Sequence, residues 1–373
     1  MAYQFEFRPY RRRFRHPLKT HHGHWTHREG IIVRLMDDAA QVGYGEIAPL
    51  PWFGSETLEQ AMAVCKKLPK TLSVEMISSI PADRPTCRFG FESALMQCVR
   101  NHVYPRVDRE REDACIQAKS HPPPPRQWCA LLPTGEAALQ AWPPFWEAGR
   151  RTFKVKIGVA PIQAELDRIT RLVSLLPMGA KVRLDANGGL TLTEAHQWLA
   201  QCDQLGIEFL EQPLPPNQLP ILLQLSQQYQ TPIALDESVA TVQQLKYAYG
   251  RGWRGIFTVK PAIAGFPSEL KQFCQAHPLD VVFSSVFETA IGRDAILTLA
   301  ADILRDAAPF KTGRLLQTTS AGQGKWVANP AAFHSGVEGK RQATPRAFGF
   351  GTQDWLAADG LDLSDFDHIW RSL

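Results

Sequence analysis

Six residues of this chain have the types and spacing for metal-assisted proton transfer: Lys154, Lys156, Asp185, Glu211, Asp236 and Lys260, the last four at intervals of 24 to 26 residues. Each carboxylate closes a short run of apolar residues. Each is followed at once by loop-forming sequence: Ala186-Asn187-Gly188-Gly189, Gln212-Pro213 and Glu237-Ser238. Carboxylates ending adjacent parallel strands converge, and three anions so close repel one another unless a hard cation lies between them. Magnesium is the simplest such cation and manganese the alternative, with the remaining positions left to water or substrate. Lys154 and Lys156, two apart on a strand, share one face, and Lys260 faces them from the far side of the metal. A cation flanked by opposed lysines suits removal of a proton α to a carboxylate: the cation stabilises the enediolate, and a lysine of depressed pKa is the base. Lys154 and the metal would both lower the pKa of Lys156, because like charge disfavours an ammonium. Lys156 is one step nearer the C-terminal mouth than Lys154 and is therefore the expected base. Taken singly the motifs have plainer explanations, since Lys-x-Lys is commonly a solvated strand face and Asp-Ala-Asn-Gly a turn. A repeated interval of ionisable strand ends is not explained that way.

The elements that must position these residues are legible as alternation. Short β-rich runs at Trp128–Leu132, Phe153–Ile157, Val182–Asp185, Ile207–Glu211, Ile233–Asp236, Ile256–Lys260 and Val281–Ser284 are separated by longer amphipathic stretches. That order predicts parallel βαβ units and an α/β fold of (β/α)₈ type, a TIM-like modified barrel. An eighth strand is predicted at Ala347–Thr352, after a helix over Asp294–Leu304 and an insertion spanning about residues 305–346, long for a connection inside a compact domain. Before the barrel, Tyr3 to Glu46 reads as antiparallel strands, Ser55 as the N-cap of a helix, and Phe89 to Val99 as a second helix. Pro122 to Pro125 mark a linker. The expected division is an α+β capping domain over residues 1–125, completed by 353–373, and a barrel over 126–352. A site at the barrel mouth needs a cover that excludes water, and the loop Pro17–Arg28 and the turn Pro49–Ser55 are the segments expected above it.

Composition narrows the classes. The 373 residues are 44% hydrophobic and 21% charged, with a formal net charge of +4, as for a globular chain with a large core. Arg11, Arg12, Arg13 and Arg15 form a basic cluster, but no nucleic-acid-binding module accompanies it, so a solvated face or an anionic-substrate contact is expected and a nucleic-acid partner is not. Seven scattered cysteines with no C-x-x-C pair suggest neither a disulfide framework nor a zinc site. There is no apolar stretch of the roughly 18 residues a membrane span requires, and arginines stand where a signal peptide would be apolar. A cytoplasmic protein acting on a small carboxylate is expected, with oligomeric state unread.

Phe153-Lys154-Val155-Lys156-Ile157-Gly158, Arg183-Leu184-Asp185-Ala186-Asn187, Glu208-Phe209-Leu210-Glu211-Gln212-Pro213, Ala234-Leu235-Asp236-Glu237-Ser238 and Val259-Lys260-Pro261 resemble the successive site motifs of the enolase superfamily. The lysine on the sixth strand resembles its muconate lactonizing enzyme subgroup. Gly43-Tyr44-Gly45-Glu46-Ile47-Ala48-Pro49 resembles the family's capping domain, so the likeness spans essentially the whole chain. A mandelate-racemase-like site would carry a histidine on the seventh strand, whereas His277 lies before it. The resemblance implies that Asp185, Glu211 and Asp236 bind magnesium, with Asn187 and Glu237 as their outer partners. It implies Lys156 as the base that also protonates the leaving hydroxyl, Lys260 as stabiliser of the enediolate, and Ser284 and Ser285 as contacts to a succinyl carboxylate. The implied reaction is dehydration of a succinylated hydroxycyclohexadiene carboxylate in menaquinone or phylloquinone synthesis. Racemisation of an N-succinylamino acid, or another cycloisomerase or epimerase reaction, is the alternative within the same chemistry. A Schiff-base barrel enzyme using Lys156 or Lys260, or a non-catalytic barrel, is the alternative outside it. The insertion has no counterpart in the family pattern, which leaves Gly349 and Gly351 as the eighth strand's candidate contacts.

Overall fold

A computed structural model describes residues 1–20, 23–103, 128–306, 346, 349 and 366–373. Its first unit is an antiparallel sheet of β1 (Ala2–Thr20), β2 (Gly23–Met36), β3 (Val42–Ile47) and β4 (Thr71–Ser73), in the order β3-β2-β1-β4. The segment expected as a loop at Pro17–Arg28 is instead the end of the β1–β2 hairpin, with Leu18 opposite Trp25 and Thr20 opposite Gly23. A register shift between Arg13 and Leu18 lets the hairpin run on. Alternation sorts its faces: Tyr3, Phe5, Ile31, Val33 and Leu35 pack in one cluster with residues of α1 (Leu58–Lys67), α2 (Val74–Ser78) and α3 (Pro85–Val103), while Tyr10, Ile32 and Tyr44 pack in another with Ile291 and Trp370.

The α1 N-cap is Thr57, not Ser55. Thr57 and Gln60 form a reciprocal capping box that satisfies two backbone donors at once. Ser55 Oγ instead accepts from the Leu50 amide at 2.7 Å and holds the preceding turn closed. The helix α3 starts earlier than the pattern suggested, because the buried Glu56 carboxylate accepts from the amides of Thr86 and Cys87 at 3.2 and 2.9 Å and supplies its missing partners. Gly45 permits the close packing of α3 on β3: a Cβ there would lie 1.8 Å from the Gly90 carbonyl oxygen. Gly45→Ala is therefore expected to cost about 1–3 kcal/mol by overpacking. Thermal melting checks this, and an unshifted transition would mean that the helix yields freely.

The second unit is a sheet of seven parallel strands in sequence order: β5 (Cys129–Leu131), β6 (Thr152–Lys156), β7 (Lys181–Asp185), β8 (Phe209–Glu211), β9 (Ile233–Leu235), β10 (Ile256–Val259) and β11 (Asp280–Phe283). Between and after them run α4 (Ile162–Leu175), α5 (Leu192–Leu205), α6 (Leu219–Gln228), α7 (Val242–Gly250), α8 (Pro267–Ala276) and α9 (Ala290–Asp306). This is the expected (β/α)₈-type barrel with a separate N-terminal cap. Side chains two apart line its interior, where Phe209, Ala234, Ile256 and Val282 form a small core of their own. At the N-terminal pole, Arg183 bonds Glu208 at 2.7 Å, and Arg346 reaches both Asp280 and Glu208. Of the predicted eighth strand, Gly349 is described: it bridges Ser284 in parallel and donates its amide to Phe283 O at 2.8 Å. The rest of that strand, the insertion from 307 to 345 and the linker at 104–127 lie outside the described residues.

The two units are joined by buried polar contacts. Glu46, at the end of β3, accepts from Tyr10 Oη at 2.5 Å, from the amides of Thr289 and Gly292, and from the Thr289 hydroxyl. The C-terminal helix α10 (Phe366–Arg371) packs on the first sheet, where Tyr44 Oη donates to Asp367 Oδ1 at 2.5 Å and the Arg8 guanidinium lies over the Trp370 ring. Among the described residues, no helix is long and apolar enough to cross a membrane.

Candidate active site

The parallel register sets the site. Lys156 stands opposite Asp185, and Asp185 opposite Glu211, so the ends of β6, β7 and β8 are level at the C-terminal mouth. Asp236 and Lys260 lie just past the ends of β9 and β10 rather than within strands as the pattern suggested, each leading into a short helical turn. One oxygen from each of Asp185, Glu211 and Asp236 lies within 4.8 Å of the others. All three side chains are buried.

The lysines flank this trio from two sides. Lys154 Nζ donates to Asp185 Oδ2 at 2.6 Å and to Glu211 Oε1 at 2.7 Å, and Lys156 Nζ donates to Asp185 Oδ2 and Asn187 Oδ1, both at 2.6 Å. Lys260 Nζ, at the end of the neighbouring strand β10 and so on the other side of the trio from β6, pairs with Asp236 Oδ1, with the Phe53 ring centroid 4.1 Å from the ammonium. The Lys156 side chain is 32% exposed and that of Lys154 16%, which places Lys156 nearer the mouth.

Burial and proximity decide the charges. Burial pulls the Lys154 ammonium down, but Asp185, Glu211 and Asp236 together outweigh it and hold its pKa well above the usual value. Burial also opposes ionisation of Asp185, yet Lys154 and Lys156 prevail and keep its pKa low. Glu211 is pushed up to about 8, first by burial and then by Asp185. Asp236 is raised as well, burial again leading. Three buried carboxylates offering only oxygen, two of them resisting ionisation beside one another, fit a hard divalent cation.

Around them, Asn187 Nδ2 donates to Glu237 Oε1 at 2.9 Å, and the Asn187 amide to Asp185 Oδ1 at 3.0 Å, so this residue bridges the first carboxylate, the half-buried Lys156 and Glu237. Gln212 was not singled out in the sequence. Its Oε1 accepts from the amides of Asp236 and Ser238, and its Nε2 donates to Leu214 O and Ser238 Oγ, fixing the turn that presents Asp236. Ser284 and Ser285 are both buried at the end of β11. A Cβ at position 349 would lie 2.7 Å from Ser284 Oγ, which explains the glycine. Ser285 Oγ donates to Glu288 Oε2 at 3.0 Å and accepts from the Phe287 amide at 2.8 Å.

Aromatic side chains of the cap cover the mouth. Trp25 of the hairpin meets Trp52, Phe287 and Phe14 edge to face, with centroids 5.0, 5.4 and 4.9 Å away. The turn after β3 thus delivers Phe53 to Lys260 and Trp52 to the hairpin, as expected of the segment Pro49–Ser55. Their signal in the sequence was an aromatic pair in a Pro/Gly-bounded turn, and nothing there showed which ring would meet a lysine.

A barrel whose strand tops bring together three carboxylates and opposed lysines, covered by an N-terminal α+β cap, defines a class. Residues 137–337 match the family model described as enolase C-terminal domain-like, and residues 10–98 that described as MenC, N-terminal domain. The chain belongs to the enolase superfamily. Within it, the sequence is 42% identical over 303 residues, 79% of this chain and 88% of the relative, to the o-succinylbenzoate synthase of Thermosynechococcus vestitus (strain NIES-2133 / IAM M-273 / BP-1). The crystal structure of o-succinylbenzoate synthase from Thermosynechococcus elongatus BP-1, complexed with magnesium in the active site, superposes with a TM-score of 0.78 at 36% identity, covering 99% of this chain and 100% of that one. An N-succinylamino acid racemase of Amycolatopsis sp is 26% identical over 76% of this chain and 78% of its own.

Proposed function

We propose that this chain is a cytoplasmic o-succinylbenzoate synthase, a hydro-lyase that converts 2-succinyl-6-hydroxy-2,4-cyclohexadiene-1-carboxylate to o-succinylbenzoate on the route to menaquinone or phylloquinone. The observation that carries the reading is the placing of Lys156 and Lys260 on opposite sides of Asp185, Glu211 and Asp236, in a chain so similar to a named synthase. Asp185, Glu211 and Asp236 would hold magnesium. When bound, the ion neutralises the trio and stabilises negative charge developing on the substrate carboxylate.

Lys156, as free amine, takes the proton from the carbon α to that carboxylate. The electron pair of the broken C–H bond moves toward the carboxylate and returns to form the ring double bond as the C–O bond breaks. Lys156 then passes its proton to the departing hydroxyl, and water leaves from the same face, a syn elimination needing one acid/base group. Lys260 remains an ammonium on the other face and stabilises charge. Lys154, held protonated by three carboxylates, offsets part of their repulsion. The purified protein is expected to dehydrate the cyclohexadiene, to lose that activity on EDTA treatment and to regain it with magnesium. Full turnover in EDTA would sink the assignment.

Amine groups on both faces also suit racemisation of an N-succinylamino acid, where each lysine exchanges a proton with the α-carbon. Deuterium wash-in at that carbon measures this second activity independently of the dehydration.

A further inference from the structure

Arg12 and Arg28 stand directly opposite each other on β1 and β2 and are 5% and 2% exposed. Strand alternation puts Arg12 on the same face as Tyr10 and Phe14, the face that meets Glu46 and Phe287 at the edge of the barrel mouth. Arg28 Nη1 donates to the Pro49 and Glu29 carbonyls at 2.9 and 2.8 Å. Arg28 Nε and Nη2, and Arg12 Nη2, are buried with no hydrogen-bond partner. A buried guanidinium N–H without an acceptor is costly, and the planar fork of the group matches a carboxylate.

The neighbouring carboxylates are committed elsewhere. Glu46 is taken by Tyr10, Thr289 and Gly292, and Glu288 by Ser285 Oγ and the Val286 amide. Burial raises the Tyr10 phenol and Glu46 adds to it, while Arg28 and Arg12 pull it down, so both guanidiniums lie within electrostatic reach of the junction between Glu46 and Thr289. Trp25 lies 5.6 Å from the Arg28 guanidinium and packs on Trp52, whose neighbour Phe53 sits on Lys260. A run of aromatic contacts thus leads from the Arg28 guanidinium to the ring that lies on Lys260.

We propose that Arg12 and Arg28 bind the terminal carboxylate of the substrate's succinyl arm, the end remote from the reacting carbon. This assignment rests on the proposed synthase function. The family resemblance assigns that carboxylate to Ser284 and Ser285, but the Ser285 hydroxyl is already bonded to Glu288 and the Phe287 amide.

The test titrates magnesium-loaded wild type, Arg12→Gln, Arg12→Met and Arg28→Lys with o-succinylbenzoate and with 2-butanoylbenzoate, in which a methyl replaces the terminal carboxylate. Arg12→Gln is expected to weaken o-succinylbenzoate about 10- to 100-fold, as loss of a hydrogen bond between charged groups implies, and to leave 2-butanoylbenzoate within about twofold. Arg28→Lys keeps the charge but not the fork and should fall between. Arg12→Met removes a buried charge whose Nη2 has no hydrogen-bond partner, so its melting temperature should hold or rise while KM for the cyclohexadiene increases and kcat holds. Equal weakening of both ligands, or a lowered melting temperature with unchanged affinities, would make the arginines structural and overturn the assignment. A wild type that binds o-succinylbenzoate but does not dehydrate the cyclohexadiene overturns the proposed function, whereas a wild type that dehydrates it with Arg12 variants indifferent to the terminal carboxylate overturns this inference alone.

Discussion

Lys156→Ala is expected to be almost inactive on the cyclohexadiene substrate, since loss of a general acid/base group typically costs roughly 10²–10⁴-fold in rate. Lys156 is the more exposed of the two β6 lysines and is oriented by Asp185 and Asn187, whereas Lys154 is wedged between Asp185 and Glu211 and held protonated. Lys260 faces them across the trio, so Lys260→Arg, which keeps the charge, should retain more activity than Lys260→Ala. Single-turnover rates on the cyclohexadiene decide the matter. If Lys156→Ala turned over near normally while Lys260→Arg was dead, the base and the stabiliser would be exchanged.

Asp185→Asn should remove both activity and metal affinity. Its carboxylate receives two ammonium groups at 2.6 Å and an amide at 3.0 Å, and an amide side chain of equal size offers one acceptor oxygen and no charge. A lost ligand of the trio forfeits several kcal/mol of charge stabilisation, which corresponds to about 10³-fold or more in rate. Calorimetric magnesium titration should show the affinity loss directly, with the circular dichroism spectrum unchanged. An Asp185→Asn protein that remained active in EDTA would eliminate the metal assignment.

Much of the fold and the site is legible in the residues alone, for a physical reason. Successive parallel strands joined by single helices pair in register, so a nearly constant interval between Asp185, Glu211, Asp236 and Lys260 is already a statement about space. What is not legible there is set by contacts distant in sequence. Spacing puts Lys154 beside Lys156, but only the assembled strands show Lys154 against two carboxylates from other strands, which keep it protonated. Ser55 and Thr57 are both acceptable caps, and the choice rests on the side chain of Gln60. The hairpin end reads as a loop because His- and Gly-rich sequence has weak strand preference, and the backbone register that sets Leu18 opposite Trp25 is a matter of pairing between strands. Gln212 is polar in a loop and looks ordinary there until its amide is seen to hold the Asp236 turn.

Glu46 marks the limit of recombining this enzyme with its relatives. The two matched segments, residues 10–98 and 137–337, invite the exchange of a cap from one relative onto the barrel of another. Yet Glu46 of the first segment accepts from the Thr289 hydroxyl as well as from backbone amides, and a Cβ at position 292 would lie 2.8 Å from its Oε2, so two residues of the second segment are fitted to it by side chain and by space. A chimera that split them would keep the backbone donors at the start of α9 but, wherever 289 and 292 differ, would lose the Thr289 hydroxyl or crowd the buried carboxylate with a side chain at 292. Grafts of this cap should therefore carry the residues at 289 and 292 as part of the same inheritance, since the natural seam between the modules does not coincide with a seam in their hydrogen bonding.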